Sequence, residues 1–324
     1  MASAMSNYDD IDDLLEERPK PAKAFSYDDD LDLDAAPRPP AWPKEKILAM
    51  HNIRSNPMSR KFFLFFPLLF LSFSLAFGND DPERLLKENK LEGSFFLKEI
   101  ATGREYVVNP EDVDRATLPA STFKIVNSLI GIETGVVKDP SDLFSWDGVQ
   151  RPIKAWNQDL SLAQAIKVSS VPVYQELARR IGKERMERYL SILGYGKGGI
   201  SAGIDQFWLR GDFGVTPREQ VEFLTRLYQG KLPLAERTQN LVKGMILLGE
   251  REGVRFSGKT GTVVFQDQSR IGWLVGWVER GDGRVGVFSL RIRSTEPGEE
   301  FLSLRISLAK RYLALSGFAL PEGL

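Results

Sequence analysis

From Asn79 onward, short apolar runs and helical periods alternate in an order that predicts the elements. Phe95-Phe96-Leu97 and Tyr106-Val107-Val108 flank Ala101-Thr102-Gly103, which reads as a β-hairpin. A helix-rich middle follows. Ile125-Val126 and Leu129-Ile130 mark the apolar face of one helix, and Leu162–Val168 and Val173–Ile181 carry two further helical patterns. Thr216, Pro217 and Glu219 form a helix start, with a cap, a proline in the first turn and the third member of a capping box. Near the end, Ile271–Val278 and Val285–Leu290 bracket Gly281-Asp282-Gly283, a second hairpin. An amphipathic stretch from Glu299 to Leu315 closes the chain. Strands first, helices between, then strands and a helix predict an α+β fold whose terminal segments share one sheet.

The N-terminal quarter has another character. Residues 1–57 alternate acidic clusters (Asp9-Asp10, Asp28-Asp29-Asp30) with prolines. A segment so poor in apolar surface cannot offset its ordering entropy, so it reads as a disordered extension or a mis-assigned start. Met58-Ser59-Arg60-Lys61 then precedes an apolar run from Phe62 to Phe77, with small residues Ala76 and Gly78 before Asn79. That is the layout of a signal peptide over 58–78, placing the product outside the cytoplasm, periplasmic or secreted. The competing reading is a membrane anchor, which would leave residues 1–57 in the cytoplasm. At about 16 residues the run is short for a spanning helix of roughly 20. Membrane association is expected only if residues 62–77 remain uncleaved.

Composition narrows the chemistry. A net charge of −1 gives no reason to expect nucleic acid or an anionic surface as partner. The chain has no cysteine, and its lone histidine, His51, lies in the polar N-terminal stretch. A Ser-His-Asp triad, a cysteine nucleophile and a histidine-rich metal site are thereby excluded, and no metal is expected. A serine nucleophile here needs a lysine as its base.

Ser-x-x-Lys places the two on one helical face, and the sequence offers it twice. Ser121 and Lys124 follow Leu118-Pro119-Ala120, a helix-start signal, and precede the apolar face just described. That context predicts a hydroxyl at a helix N-terminus and a lysine among apolar neighbours. Ser307 and Lys310 lie mid-helix beside Arg311, where a solvated lysine is the natural reading. Taken alone, Ser121 reads first as a helix-cap serine with a surface lysine. Ser169-Ser170-Val171-Pro172 interrupts two helical patterns, so Ser169 reads either as a proton-relaying hydroxyl in a cleft or as part of a helix cap. Lys259-Thr260-Gly261 sits in a β-type run. A strand edge with these residues suits a substrate carboxylate and close backbone approach, the alternative being an edge-strand lysine that deters aggregation.

Together these motifs resemble the class D serine β-lactamases, the oxacillinase group of the penicillin-recognising superfamily. Trp146-Asp147-Gly148, Ala155-Trp156-Asn157, Ser170–Ala178, Phe207-Trp208-Leu209 and Ile271–Glu279 extend the resemblance over about Leu85 to Leu315. It implies a β-lactamase/transpeptidase-like fold, an antiparallel sheet flanked by helices with a helical subdomain, over a domain of residues 79–324. It implies small-molecule β-lactam substrates, opened by acylation at Ser121. Lys124 is the implied base, as an N6-carboxylysine formed with carbon dioxide or bicarbonate and no other cofactor. Trp208 is the implied carbamate donor, Val171 and Leu209 its apolar wall, and Ser169 the middle-motif serine. Lys259, Thr260, Gly261, Thr262 and Arg305 are the implied substrate-binding residues, with the backbone N–H groups of Ser121 and Thr262 holding the oxyanion. For Arg305 a solvated helix arginine is the alternative. Related β-lactam receptors and D-Ala-D-Ala transpeptidases share the motifs but deacylate slowly. A homodimer is left open. One departure stands out: the family's Tyr-Gly-Asn reads Tyr195-Gly196-Lys197, which puts the loop's anchoring and the cleft's charge in question.

Overall fold

The computed structural model describes residues 82–324, so the expectations for 1–57 and 58–78 fall outside the described residues. In chain order the elements begin with helix α1 (Pro82–Glu88) and strands β1 (Glu92–Glu99) and β2 (Glu105–Val108). A 3-10 turn at Ala120–Phe123 leads into α2 (Lys124–Glu133). A short pair, β3 (Leu143–Phe144) and β4 (Leu160–Ser161), precedes α3 (Leu162–Lys167), α4 (Val171–Ile181) and α5 (Lys183–Leu193). Helices α6 (Pro217–Tyr228) and α7 (Glu236–Met245) follow. The chain ends with β5 (Leu247–Arg251), β6 (Val254–Val264), β7 (Arg270–Glu279), β8 (Val285–Ser294) and α8 (Phe301–Leu315).

Six strands form one antiparallel sheet in the order β2-β1-β8-β7-β6-β5. Its first and last segments pair directly, with β1 against β8 from Glu92–Arg293 to Glu99–Gly286. This is the expected sharing of a sheet by the chain's ends. The predicted hairpins join β1 to β2 and β7 to β8, with Gly103 and Gly283 at positive φ in their turns.

The central strands are apolar on both sides because both faces are covered. On β1, Phe95 and Leu97 pack with Leu85 and Leu86 of α1 and with Leu308, Ala309 and Tyr312 of α8. Phe96 points the other way, into a larger core with Trp273, Trp277 and the helices of the middle region. Thr216 caps α6 as expected: its side chain accepts from Glu219 N while the Glu219 carboxylate accepts from Thr216 N. Helix α4 begins two residues earlier than its apolar period suggests, because Ser170 is its cap and Pro172 falls in its first turn. The architecture is α+β, with a helical region on one face of the sheet. Among the described residues no helix is long and apolar enough to cross a membrane.

Candidate active site

Helix α2 begins at Lys124, so Ser121 lies not on the α-helix but in the tighter 3-10 turn before it. The turn is anchored on three sides. Ala120, at φ +48, donates its N–H to the Trp208 carbonyl at 3.0 Å. Thr122 donates its hydroxyl to Pro119 O at 2.7 Å and accepts from Gln220 Nε2 at 2.9 Å. Gln220 in turn accepts from the Tyr195 hydroxyl at 3.2 Å, and all these side chains are buried. Trp273 adds a bond from Nε1 to Leu118 O at 3.0 Å. A left-handed alanine next to Ser121 is strained, and such strain persists where surrounding bonds over-determine it.

Strand β5 pairs with β6 only through Ser257, so from Lys259 onward that side of β6 has no neighbouring strand. The Ser121 turn fills the space. A Cβ on Gly261 would stand 3.0 Å from Pro119 O and 3.2 Å from Thr122 N, so a larger residue would have to push the turn away by a few tenths of an ångström. The expected strand edge is thus local, inside the sheet, and an aggregation-guarding lysine at the sheet's rim is ruled out: Lys259 is 6% exposed.

Two lysine–serine pairs meet here. Lys124 is fully buried, and its Nζ donates to Ser121 Oγ at 2.8 Å. Burial, reinforced by the nearby charge of Lys259, holds its pKa well below the usual lysine value. The amine also lies 5.3 Å from the centroid of the Tyr174 ring. Lys259 Nζ donates to Ser169 Oγ at 3.0 Å and to Thr260 O at 2.9 Å. Burial first, then Arg305, brings its pKa down to about 7. Ser169 sits at φ +53 between α3 and α4, so the hydroxyl in the break points to the cleft while Ser170 does the capping.

Arg305 is not a solvated helix arginine. Its Nη1 donates to Gly261 O at 3.0 Å and to Thr262 Oγ1 at 2.6 Å, which brings a guanidinium from α8 onto the end of β6. Val171 and Leu209 are half-buried. Trp208 is fully buried, its ring stacked on Phe123 with centroids 5.3 Å apart. Its indole Nε1 has no hydrogen-bond partner among the described residues. A buried unpaired donor is costly, and it suits an anionic acceptor added to the site.

The structure also answers the Tyr-Gly-Asn departure. Lys197 exchanges backbone bonds of 2.8 Å with Gly214 in both directions, so the loop keeps its anchoring. Its side chain, 80% exposed, pairs with Glu219 at 3.3 Å, and the extra charge is spent there. The motifs gave no sign of Thr122, Gln220 or Trp273 as supports of the turn, because their bonds span about 98 and 155 residues. Among the described residues, no group of three or more histidine, cysteine or acidic side chains could hold a metal ion.

Comparison with known proteins agrees with this geometry. Residues 81–312 match the penicillin binding protein transpeptidase domain. The chain is 41% identical over 226 residues to beta-lactamase OXA-48 of Klebsiella pneumoniae, covering 70% of this chain and 84% of that one. It is 36% identical to probable beta-lactamase YbxI of Bacillus subtilis, covering 68% and 81%. Among solved structures, the class D β-lactamase YbXI from Nostoc superposes with a TM-score of 0.69 at 36% identity, over 74% of this chain and 99% of that one. FUS-1 (OXA-85) of Fusobacterium nucleatum subsp. polymorphum also gives 0.69, at 33% identity, over 73% and 97%. Fold and site therefore define a serine enzyme of the penicillin-binding transpeptidase type. Within that group, the chain belongs to the class D β-lactamase family.

Proposed function

We propose that the protein hydrolyses β-lactam antibiotics through an acyl-enzyme on Ser121. The observation that carries this reading is the buried Lys124 amine 2.8 Å from Ser121 Oγ, with the Lys259–Ser169 pair lining the same cleft. Lys259, Thr260 and Arg305 supply charge and hydrogen bonds for the substrate's ring carboxylate. The Ser121 and Thr262 N–H groups hold the carbonyl oxygen as it gains charge. Ser121 Oγ bonds to the carbonyl carbon, the ring C–N bond breaks, and the Ser121 proton goes to the base at Lys124. The ring nitrogen is protonated through Ser169. With its proton passed on, the base at Lys124 then takes a proton from water as the water oxygen attacks the ester carbon; the C–O bond to Ser121 breaks and that proton returns to Ser121 Oγ.

Lys124 acts in this reading as an N6-carboxylysine, whose carbamate supplies an oxygen base. A lysine must be neutral to take up carbon dioxide, and the burial of Lys124 favours the neutral amine. Trp208 Nε1 is the donor available to such a group, with Val171 and Leu209 shielding it. The catalytic domain is read as residues 79–324, exported by the Met58–Gly78 segment.

The test is nitrocefin turnover by purified 79–324 with and without added bicarbonate. Many turnovers, faster with bicarbonate, are expected. A burst of one equivalent followed by silence would instead mark a receptor-like or transpeptidase-like protein.

A further inference from the structure

A cavity of about 400 Å³ lies at the end of β6, lined by residues that flank the Ser121 turn, Trp208 and Thr262 in sequence. Each wall continues a segment that builds the site. Leu118 lies just before the nucleophile's turn, and Leu209 follows Trp208, whose carbonyl holds Ala120 N. Val263, Val264 and Phe265 follow Thr262 along β6 and its turn. The lining is otherwise apolar except for Gln266 and one cation, Arg210.

Arg210 is half-buried, and among the described residues its guanidinium has no carboxylate partner. Acidic side chains of the neighbouring loops are engaged elsewhere. Asp205 pairs with Arg179 at 2.6 Å. Asp212 accepts from Ser201 Oγ at 2.6 Å, and Asp267 accepts from Ser269 Oγ at 2.6 Å. The loop presenting Arg210 is held by bonds from Leu209 N and Arg210 N to Gln206 O, at 2.7 and 2.9 Å. A charge in an apolar hollow with no protein counter-ion is a place where an anion is stabilised more than in water. The substrate's ring carboxylate is already assigned to Lys259 and Arg305, so this cation is available to a second anionic group.

We propose that this cavity is a subsite for the substrate's acyl side chain, and that Arg210 selects β-lactams whose side chain is apolar and carries a carboxylate. The proposal rests on the β-lactamase reading above. Benzylpenicillin and carbenicillin share one scaffold and differ by a single side-chain carboxylate, so the ratio of their kcat/KM values isolates the contact.

In Arg210→Ala the carbenicillin-to-benzylpenicillin ratio should fall roughly three- to tenfold, the range for a partly solvated charge pair. Arg210→Glu should lower it further, and Arg210→Lys should keep part of it. The parent's ratio should also decline with salt, while that of Arg210→Ala should not. A ratio indifferent to residue 210 in an enzyme that hydrolyses both penicillins overturns the subsite alone. A parent that hydrolyses neither overturns the β-lactamase reading, and the subsite with it.

Discussion

The molecule carries one four-residue pattern twice, in different surroundings. At Ser121 and Lys124 the lysine is fully buried and bonded to the serine. At Ser307 and Lys310, on α8, the lysine is half-buried and the serine is exposed, donating its hydroxyl to Leu304 O at 3.1 Å. The covalent chemistry available is the same; the solvent is not. A protonated amine cannot take a proton from a hydroxyl, and contact with water stabilises the protonated form. Burial removes that stabilisation from Lys124, and Lys259 nearby adds repulsion. What separates the proposed nucleophile–base pair from the second copy of the pattern is therefore the cover supplied by the sheet, the helical region and Trp208.

The largest expected effect tests this contrast directly. Ser121→Ala should abolish covalent labelling by a fluorescent penicillin, whereas Ser307→Ala should label like the parent. Labelling that survives loss of Ser121, read on a gel, would put the nucleophile elsewhere and end the comparison.

Next in size is the cover itself. Removing the donor from Trp208 leaves an added carbamate short of a partner, at about 1.5–3 kcal/mol. That corresponds to roughly a ten- to hundredfold loss of carboxylated Lys124 at ambient carbon dioxide. Trp208→Ala should still be acylated at Ser121 but turn over nitrocefin that much more slowly. Intact mass should show accumulated acyl-enzyme, and high bicarbonate should restore part of the rate. Parent-like turnover at any bicarbonate concentration would remove the carbamate from the mechanism.

These effects also mark where sequence reasoning was strong. The Lys124 environment was legible because Ile125, Val126, Leu129 and Ile130 announce a core-facing helix. The hairpins and the Thr216 cap were legible for the same reason: their signals are local, carried by glycine, proline and capping residues within a few positions. The supports of the turn were not. Gln220 reaches Thr122 from α6, and Trp273 reaches Leu118 from β7, so only the tertiary fold brings them together. The local edge of β6 was half legible. Lys259-Thr260-Gly261 suggested it, but the early end of β5, which creates it, has no counterpart in the motif.

Burial of a second lysine gives a pH signature. Lys259 has a pKa of about 7 in the folded protein, against about 10.4 in an unfolded chain. Between those values the unfolded chain binds more protons, so stability should rise with pH. From pH 7 to 9 one such group contributes about 2 kcal/mol. Lys124, shifted in the same direction, acts with the same sign. Buried Tyr174 and Tyr195, whose pKa values are raised by desolvation, oppose the trend above about pH 10. Urea unfolding at pH 7, 8 and 9 should show the parent gaining stability, and Lys259→Met gaining less. Equal slopes would mean that Lys259 stays charged in the cleft.

The smallest effect belongs to Lys197, an exposed lysine that the sequence alone made suspect. Its side chain is 80% exposed and 3.3 Å from Glu219, a carboxylate already tied into the Thr216 cap through Thr216 N. An ion pair in that setting is worth about 0–1 kcal/mol, because solvent screens it and ordering two side chains opposes it. What anchors the loop is backbone: the reciprocal Lys197–Gly214 bonds, and Gly196, where a Cβ would stand 2.5 Å from the Phe213 ring. Lys197→Asn, which restores the family's residue, should therefore shift stability by less than about 1 kcal/mol and leave nitrocefin kcat/KM within about twofold. The shift should shrink further in 0.5 M salt, where exposed charges are screened. A tenfold change in kcat/KM would mean that charge at position 197 reaches Ser121 across the protein. Exposure would then be a poor guide to which lysines matter here, and the contrast between Lys124 and Lys310 would need a basis other than burial.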